Sequence, residues 1–251
     1  MIVGAGSPGC VLASRSSSYN DRINGLGKYL EGTRYLMTRG GYLALGTSQV
    51  AAFVKSQSEV DYADLQICFR PMTFNFHQDG HVKVDKDPGG GVSVFILRPR
   101  TMGKVSLRSR NAADAPVLTP NFLTDEDNVR AMISGLKQIR SIMEMDPIAS
   151  RIIDEQLPGK AIQTDTQWLD FMAKTGSTAS HQTSTCKMGS DARSVVDERL
   201  RVRGVDGLRV VDASIMPHIT SGNTNAPSIM TGAKGAAMIK EDTLSRRVIH
   251  D

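Results

Sequence analysis

Apolar positions along this 251-residue chain change period several times, and each change marks an element. Ile2-Val3 is a stub of strand, Gly4-Ala5-Gly6-Ser7-Pro8-Gly9 a glycine turn, and Cys10-Val11-Leu12-Ala13 the apolar face of a following helix. Over residues 25–39 Leu26, Tyr29, Leu30, Thr33 and Leu36-Met37 recur at helical spacing, and Gly40-Gly41 stops the segment. Leu65–Phe69 and Val92–Leu97 are mostly apolar runs of strand length, and Lys104–Arg108 alternates as a half-buried antiparallel strand does. Pro88-Gly89-Gly90-Gly91 and Thr101-Met102-Gly103 read as the turns between strands.

Two helices follow with clear start signals. Thr124-Asp125-Glu126-Asp127 is a capping box with its acids at the positive end of the helix dipole. Val129, Met132, Ile133, Leu136, Arg140 and Met143 then mark one face, and Pro147 ends the segment. Thr164 with Gln167 caps a second helix, Trp168, Leu169 and Met172 form its buried side, and Gly176 stops it. Near the C-terminus Leu208–Val211 is a short buried-type strand, residues 214–224 a loop, and 226–240 a helix rich in small residues. A loop at the carboxyl end of a strand is where open α/β sheets bind ligands.

The glycine turn suits a dinucleotide. Gly4 and Gly6 allow a tight turn and close approach of a pyrophosphate, Gly9 lets a helix lie on the strand, and Pro8 falls where a helix has no use for its N–H. A second parallel strand ending in an acid about 20 residues later should follow. Residues 16–25 are instead polar and turn-rich, and Asp21 ends no strand.

Composition narrows the classes. A formal net charge of +4, without any basic run, gives nucleic-acid binding little support. Cys10, Cys68 and Cys186 are odd in number and widely spaced, so neither a disulfide framework nor a zinc site is indicated. No apolar stretch approaches the roughly 20 residues that span a bilayer, and no signal peptide is visible, so a cytoplasmic location is the expectation.

Three stretches carry the chemistry: His181-Gln182-Thr183-Ser184-Thr185-Cys186-Lys187-Met188-Gly189, then Gly207–Pro217, then Ser221-Gly222-Asn223-Thr224-Asn225-Ala226-Pro227. With the Gly4–Arg15 segment they resemble the glucose–methanol–choline (GMC) family of FAD-dependent oxidoreductases, in its choline-dehydrogenase-like branch. The resemblance covers nearly every residue. Family members also carry, between the first helix and the equivalent of Asn20, the second Rossmann strand, two glycine-rich signatures and part of the substrate domain. The resemblance therefore implies one long internal deletion, joined near residues 16–19.

That resemblance implies an α/β plus α+β fold: a remnant of a Rossmann-like FAD-binding domain joined to an antiparallel-sheet substrate domain with helices on one side. Residues 1–18 would be the N-terminal FAD-binding fragment, 19–180 the partial substrate-binding domain, and 181–251 the C-terminal part of the FAD-binding domain. It implies oxidation of the CH–OH group of a small primary alcohol, choline-like or other. His181 would take the hydroxyl proton, hydride would go to flavin N5, and Asn223 would donate to the substrate oxygen. Gly4, Gly6, Ser7, Gly9, Asp212, Ala213, Asn225 and Pro227 would contact FAD, and the positive end of the last helix would face the flavin ring. Ile2-Val3 would pair in parallel with Leu208–Val211. His218 ranks below Asn223, while His77, His81 and His250 read as surface residues and Cys186 as a small buried one. The alternative is a non-catalytic remnant or interaction module that binds FAD weakly or not at all, with an exposed sheet edge prone to self-association.

Overall fold

The computed structural model describes residues 9–14, 18–46, 48–76 and 82–250, which fall into two units. One holds residues 97–128 and 178–250, and the other the described residues up to 96 together with 129–177. In chain order the elements are β1 (Gly9–Ser14), α1 (Tyr19–Ile23), α2 (Gly27–Thr38), β2 (Val50–Val54), β3 (Leu65–Arg70), β4 (Phe74–Phe76), β5 (Val82–Val84) and β6 (Gly89–Ile96). Then come β7 (Lys104–Ser106), β8 (Val117–Thr119), α3 (Glu126–Met143), β9 (Ile152–Leu157), α4 (Asp165–Thr175) and α5 (Asn225–His250).

The sheet unit is built on five strands in the order β2-β3-β6-β1-β9, each neighbouring pair antiparallel. Alternate residues of β3 and β6 face α3: Leu65 and Val94 are fully buried, and both lie against Gly135. A Cβ on Gly135 would stand 2.7 Å from Val94 Cγ2 and 2.9 Å from Leu65 Cδ1, so only glycine lets the helix come this close. Met132, Leu136, Ile139 and Met143 continue the buried face of α3, while Trp168, Phe171 and Met172 supply that of α4. The Thr164 capping box and the Gly176 stop are both present.

A half-buried ion pair locks the helices to the edge strand. Arg140 donates from Nε and Nη2 to the two Glu155 oxygens at 3.0 and 2.7 Å. Its remaining donors reach the carbonyls of Ile162 at 2.6 Å and Gly159 at 3.2 Å, and its guanidinium lies 4.5 Å from the Trp168 ring centre. Nearby Cys10 is buried, and burial reinforced by the Glu155 charge pushes its thiol pKa up to about 12. At the other end Asn20 is wholly buried. Its amide donates to Thr73 Oγ1 at 2.9 Å, Thr73 O at 3.2 Å and Asp85 O at 3.0 Å, and accepts from Thr73 N at 3.0 Å.

Four expectations are corrected. Cys10–Ala13 is not a helix face but the body of β1, paired with β6 on one side and β9 on the other. Gly9, expected to open a helix, is the first residue of that strand. Gly89–Gly91 is not a turn but the start of β6, opposite Ala13, Leu12 and Val11. The physical reason is shared: a Cβ on Gly89 would stand 2.9 Å from Leu12 O and 2.8 Å from Thr73 Cγ2, so the glycines are there for close backbone approach. Leu208–Val211 forms no regular strand. Its one bridge, Arg201 to Arg209, is antiparallel, because a tight hairpin through Gly204 and Gly207 turns the chain back on itself. Ile2-Val3, Gly4, Gly6, Ser7, His77 and His81 lie outside the described residues. The α2 helix forms as expected, yet Leu30, Leu36 and Met37 on it are exposed, as is Leu26 just before it.

The other unit has its own small core of Val196, Leu200 and Ile215, with Met188, Val202, Val210, Val211 and Met238 packed around it. β7 and β8 form a separate two-stranded sheet. Gly235 of α5 lies against Val211 and Leu200, and a Cβ there would meet Val211 Cγ1 at 2.4 Å. Three arginines, 199, 201 and 209, converge on Asp242 farther along α5. Their hydrogen bonds hold its carboxyl well below the usual carboxylate range. Among the described residues no helix is long and apolar enough to cross a membrane.

Candidate active site

The site is assembled where the two polar loops of the second unit meet. The first loop starts after Ser180, whose φ of 59° turns the chain, and Ser184 repeats the left-handed turn at φ 74°. Beyond it the chain is pinned by backbone bonds from Cys186 N to Ser214 O at 3.0 Å and from Met188 N to Ile215 O at 2.7 Å. Ser184 Oγ, itself 3.0 Å from the buried Thr183 Oγ1, donates to Pro217 O at 3.2 Å. These bonds fix the loop carrying His181 to the turn at Ala213–Ile215.

That turn is capped by Asp212, whose Oδ1 accepts from Ser214 N at 2.8 Å and from Ser214 Oγ at 2.5 Å. The chain then runs to Gly222, at φ 94°, a conformation that favours glycine, and enters α5 at Asn225. Pro227 falls in the first turn of α5, where its missing N–H leaves no intrahelical bond unmade. Ser228 closes that turn by donating from N and Oγ to Thr224 O at 3.0 and 2.6 Å.

The outcome is a contact between residues 42 positions apart: Asn223 Nδ2 lies 2.9 Å from His181 Nε2. The other ring nitrogen, Nδ1, lies 3.0 Å from Thr224 Oγ1. His181 is half-buried, Thr224 is buried and Asn223 is exposed. Burial lowers the His181 pKa, so the ring is neutral at physiological pH. In the tautomer with its proton on Nδ1, Nε2 accepts from the Asn223 amide and Nδ1 faces the Thr224 hydroxyl. A neutral imidazole with its free electron pair on Nε2, beside an amide donor on an exposed side chain, can take a proton from a hydroxyl while the amide holds the oxygen.

Of the remaining sequence candidates, Ala213 sits in the capped turn, Asn225 is exposed at the start of α5, and Pro227 is half-buried there. Asp212 is exposed and its Oδ1 is engaged by Ser214. Gly9 belongs to the sheet unit, away from this loop in the chain. His218 is exposed, and Cys186 is half-buried. Two residues of this loop have no role that the sequence alone assigns. Thr224 carries a hydroxyl immediately before a helix start, an N-cap signal that was available, but its partner lies 43 positions away. Thr220 Oγ1, also in this loop, is buried with no hydrogen-bond partner.

The chain is similar to known proteins in sequence and in fold. Residues 99–232, more than half of the chain, match the sequence model of the GMC oxidoreductase family. An alcohol dehydrogenase (acceptor) of Pseudomonas putida is 37% identical over 205 residues, which are 82% of this chain and 37% of that protein. An oxygen-dependent choline dehydrogenase of Pseudomonas fluorescens SBW25 is 36% identical over 212 residues, 83% of this chain and 36% of that one. Among solved structures, a formate oxidase of Aspergillus oryzae RIB40 superposes with a TM-score of 0.85 over 96% of this chain and 46% of its own, at 21% identity, a likeness of fold. The chain thus spans little more than a third of the length of these curated relatives.

FAD is the cofactor of the family. The described residues suit its flavin end. The start of α5 offers first-turn N–H groups at the positive end of the helix dipole, the neighbouring His181 is neutral, and Thr220 supplies a buried hydroxyl without a partner. For the adenosine end the described residues offer no matching strand–glycine–helix turn, since Gly9–Ser14 is an antiparallel strand.

Proposed function

The chain belongs to the GMC oxidoreductase family, and from that premise we propose that it is an FAD-dependent oxidoreductase of small primary alcohols with His181 as the base. The observation that carries this reading is the 2.9 Å contact between Asn223 Nδ2 and His181 Nε2. The two groups are the donor and acceptor that an alcohol oxygen needs, and a hydroxyl entering between them replaces their mutual bond with one to each. His181 Nε2 receives the hydroxyl proton as the C–H bond breaks. Asn223 holds the oxygen on its way to a carbonyl, and Thr224 Oγ1 accepts from the Nδ1–H of the resulting imidazolium. Bound FAD supplies the acceptor for the hydride. Asp212, Ala213, Asn225 and Pro227 are proposed to hold the flavin and ribityl part, with residues 181–251 acting as the C-terminal part of the FAD domain and 19–180 as the substrate domain. The relatives named for alcohols and choline support this substrate class.

A second reading is favoured by one observation. Because Gly9–Ser14 is committed to the antiparallel sheet, the pyrophosphate turn expected at Gly4, Gly6, Ser7 and Gly9 has lost the helix that should follow it. On this reading the chain keeps the catalytic pair and binds FAD weakly. The visible spectrum of the purified protein, before and after incubation with FAD, decides between them. Flavin bands near stoichiometry on purification support the first reading. Bands that appear only with added FAD support the second, and no bound flavin under either condition contradicts both.

A further inference from the structure

We propose that Thr224 is a positioning residue that, together with the Asn223 amide, holds His181 in the tautomer whose base is Nε2. The inference deepens the proposed alcohol oxidation and rests on that reading for its consequence, though not for its geometry. A neutral imidazole carries one proton, and free imidazole side chains in water prefer it on Nε2. Here that preference would put the proton on the nitrogen facing Asn223 and the free electron pair on the nitrogen facing Thr224. A hydroxyl can accept from an Nδ1–H or donate to a bare Nδ1, so the selection comes from the Asn223 Nδ2, which can only donate to Nε2. Thr224 Oγ1, 3.0 Å from Nδ1 and in a buried position shielded from competing water, then accepts the Nδ1–H and holds that tautomer in place.

Thr224 is itself held rigidly. Its carbonyl accepts two hydrogen bonds from Ser228 in the first turn of α5. The residue immediately before it, Asn223, carries the amide that meets Nε2. One dipeptide at a helix start therefore fixes both ring nitrogens, and the direction of the base is tied to the position of α5. The lowered pKa of His181 fits this picture, since it keeps the ring neutral, the state in which tautomers differ.

The test reads the tautomer directly, without FAD or substrate. Protein labelled with 15N at histidine is examined by long-range proton–nitrogen correlation, and the His181 signals are identified by their loss in His181→Gln. The wild type is expected to show a protonated Nδ1 and an unprotonated Nε2. Thr224→Ser, which keeps the hydroxyl, is expected to match it. Thr224→Val, equal in shape but without the acceptor, is expected to move the proton toward Nε2, with the Asn223 amide turning its oxygen to meet it. Alcohol oxidation by FAD-saturated Thr224→Val should fall about ten- to a hundredfold in kcat, a large part of what a correctly presented general base supplies, with restoration in Thr224→Ser. A wild-type His181 protonated on Nε2, or an unchanged tautomer in Thr224→Val, overturns the proposal. Should Thr224→Val not fold, the wild-type tautomer alone decides. A tautomer that shifts as expected in a protein without activity sinks the proposed reaction and leaves this assignment standing.

Discussion

The direction of the His181 pKa shift has two separable consequences. Burial depresses it below the ordinary histidine value of about 6.5, so the folded ring stays neutral to lower pH than the unfolded one. If His181 is the base, alcohol oxidation declines as the ring takes a proton on acidification, and that decline falls at lower pH than an ordinary histidine would give. The same shift makes the unfolded chain the better proton acceptor as pH falls through the ordinary histidine value, so stability is lost on acidification. A rate profile and a denaturant series across pH 5–8 check both, and a rate that rises as pH falls would contradict the assignment. Removing the group altogether, as in His181→Gln, is expected to lower kcat by about 10²–10⁴-fold. Away from the site, Asn20 is the most exacting polar position. Its amide hydrogens face two carbonyls and a hydroxyl in a wholly buried setting, so Asn20→Asp replaces donors with acceptors and is expected to lose about 2–4 kcal/mol in urea unfolding.

Glycines separate two effects at the scale of elements. In α5, Gly232 has open space around its would-be Cβ, whereas Gly235 lies against Val211 and Leu200. Alanine favours a helix interior by about 1 kcal/mol over glycine. Gly232→Ala is therefore expected to raise stability. Gly235→Ala is expected to lower it, because a methyl 2.4 Å from the stiff Val211 side chain forces a shift that costs about 1–3 kcal/mol. Equal melting temperatures for the two variants would show that α5 does not rest on this core. In the sheet unit, Glu155→Gln leaves the Arg140 charge half-buried without its carboxylate and is expected to cost about 3 kcal/mol.

The elements also show where sequence was legible. The helices α3 and α4 announce themselves through a 3.6-residue period, and α4 also through its Thr164 cap. The cap expected at Thr124 falls instead to Asp125, whose Oδ1 accepts from Asn128 N as the Thr124 hydroxyl donates to Asn121 O. The His181–Asn223 contact was legible through two long motifs in the right order. The β1 strand was not. Gly4–Gly9 before an apolar run fits a nucleotide turn locally, and what makes the run a strand is its pairing with Gly89–Gly91, some eighty positions away, where three glycines resemble a turn. Glycine states that backbones come close without saying whether the close neighbour is a phosphate or another strand. Thr224 was missed for a similar reason, since its role depends on a side chain 43 residues distant.

For the molecule as a whole, the commitment of Gly9–Ser14 to an antiparallel sheet sets the expectation for cofactor affinity. On the proposed reading the start of α5 and its loop meet the flavin end, while the described residues offer no framework for the ribose and pyrophosphate contacts. A carboxylate–ribose contact is worth about 1.5–3 kcal/mol, so its loss together with the crevice walls removes two to three decades of affinity at about 1.4 kcal/mol per decade. FAD titration followed by flavin fluorescence is expected to give a dissociation constant above the micromolar range, and tighter binding would show that the family's remaining contacts suffice. The edge strand β2, Val-Ala-Ala-Phe-Val, carries no charge and leaves Val50 and Phe53 exposed, which favours pairing with a second copy. Sedimentation is expected to show concentration-dependent association that Phe53→Lys suppresses.

Whether His181 takes the alcohol proton in an FAD-dependent oxidation is read from anaerobic reduction of the flavin. Protein saturated with added FAD is mixed with a primary alcohol, and loss of the flavin's visible absorbance is followed. Bleaching in the wild type, slowed by two or more decades in a His181→Gln protein that binds FAD equally, is the predicted result. Bleaching at the same rate in both proteins, or none in a wild type with flavin bound, would contradict the account.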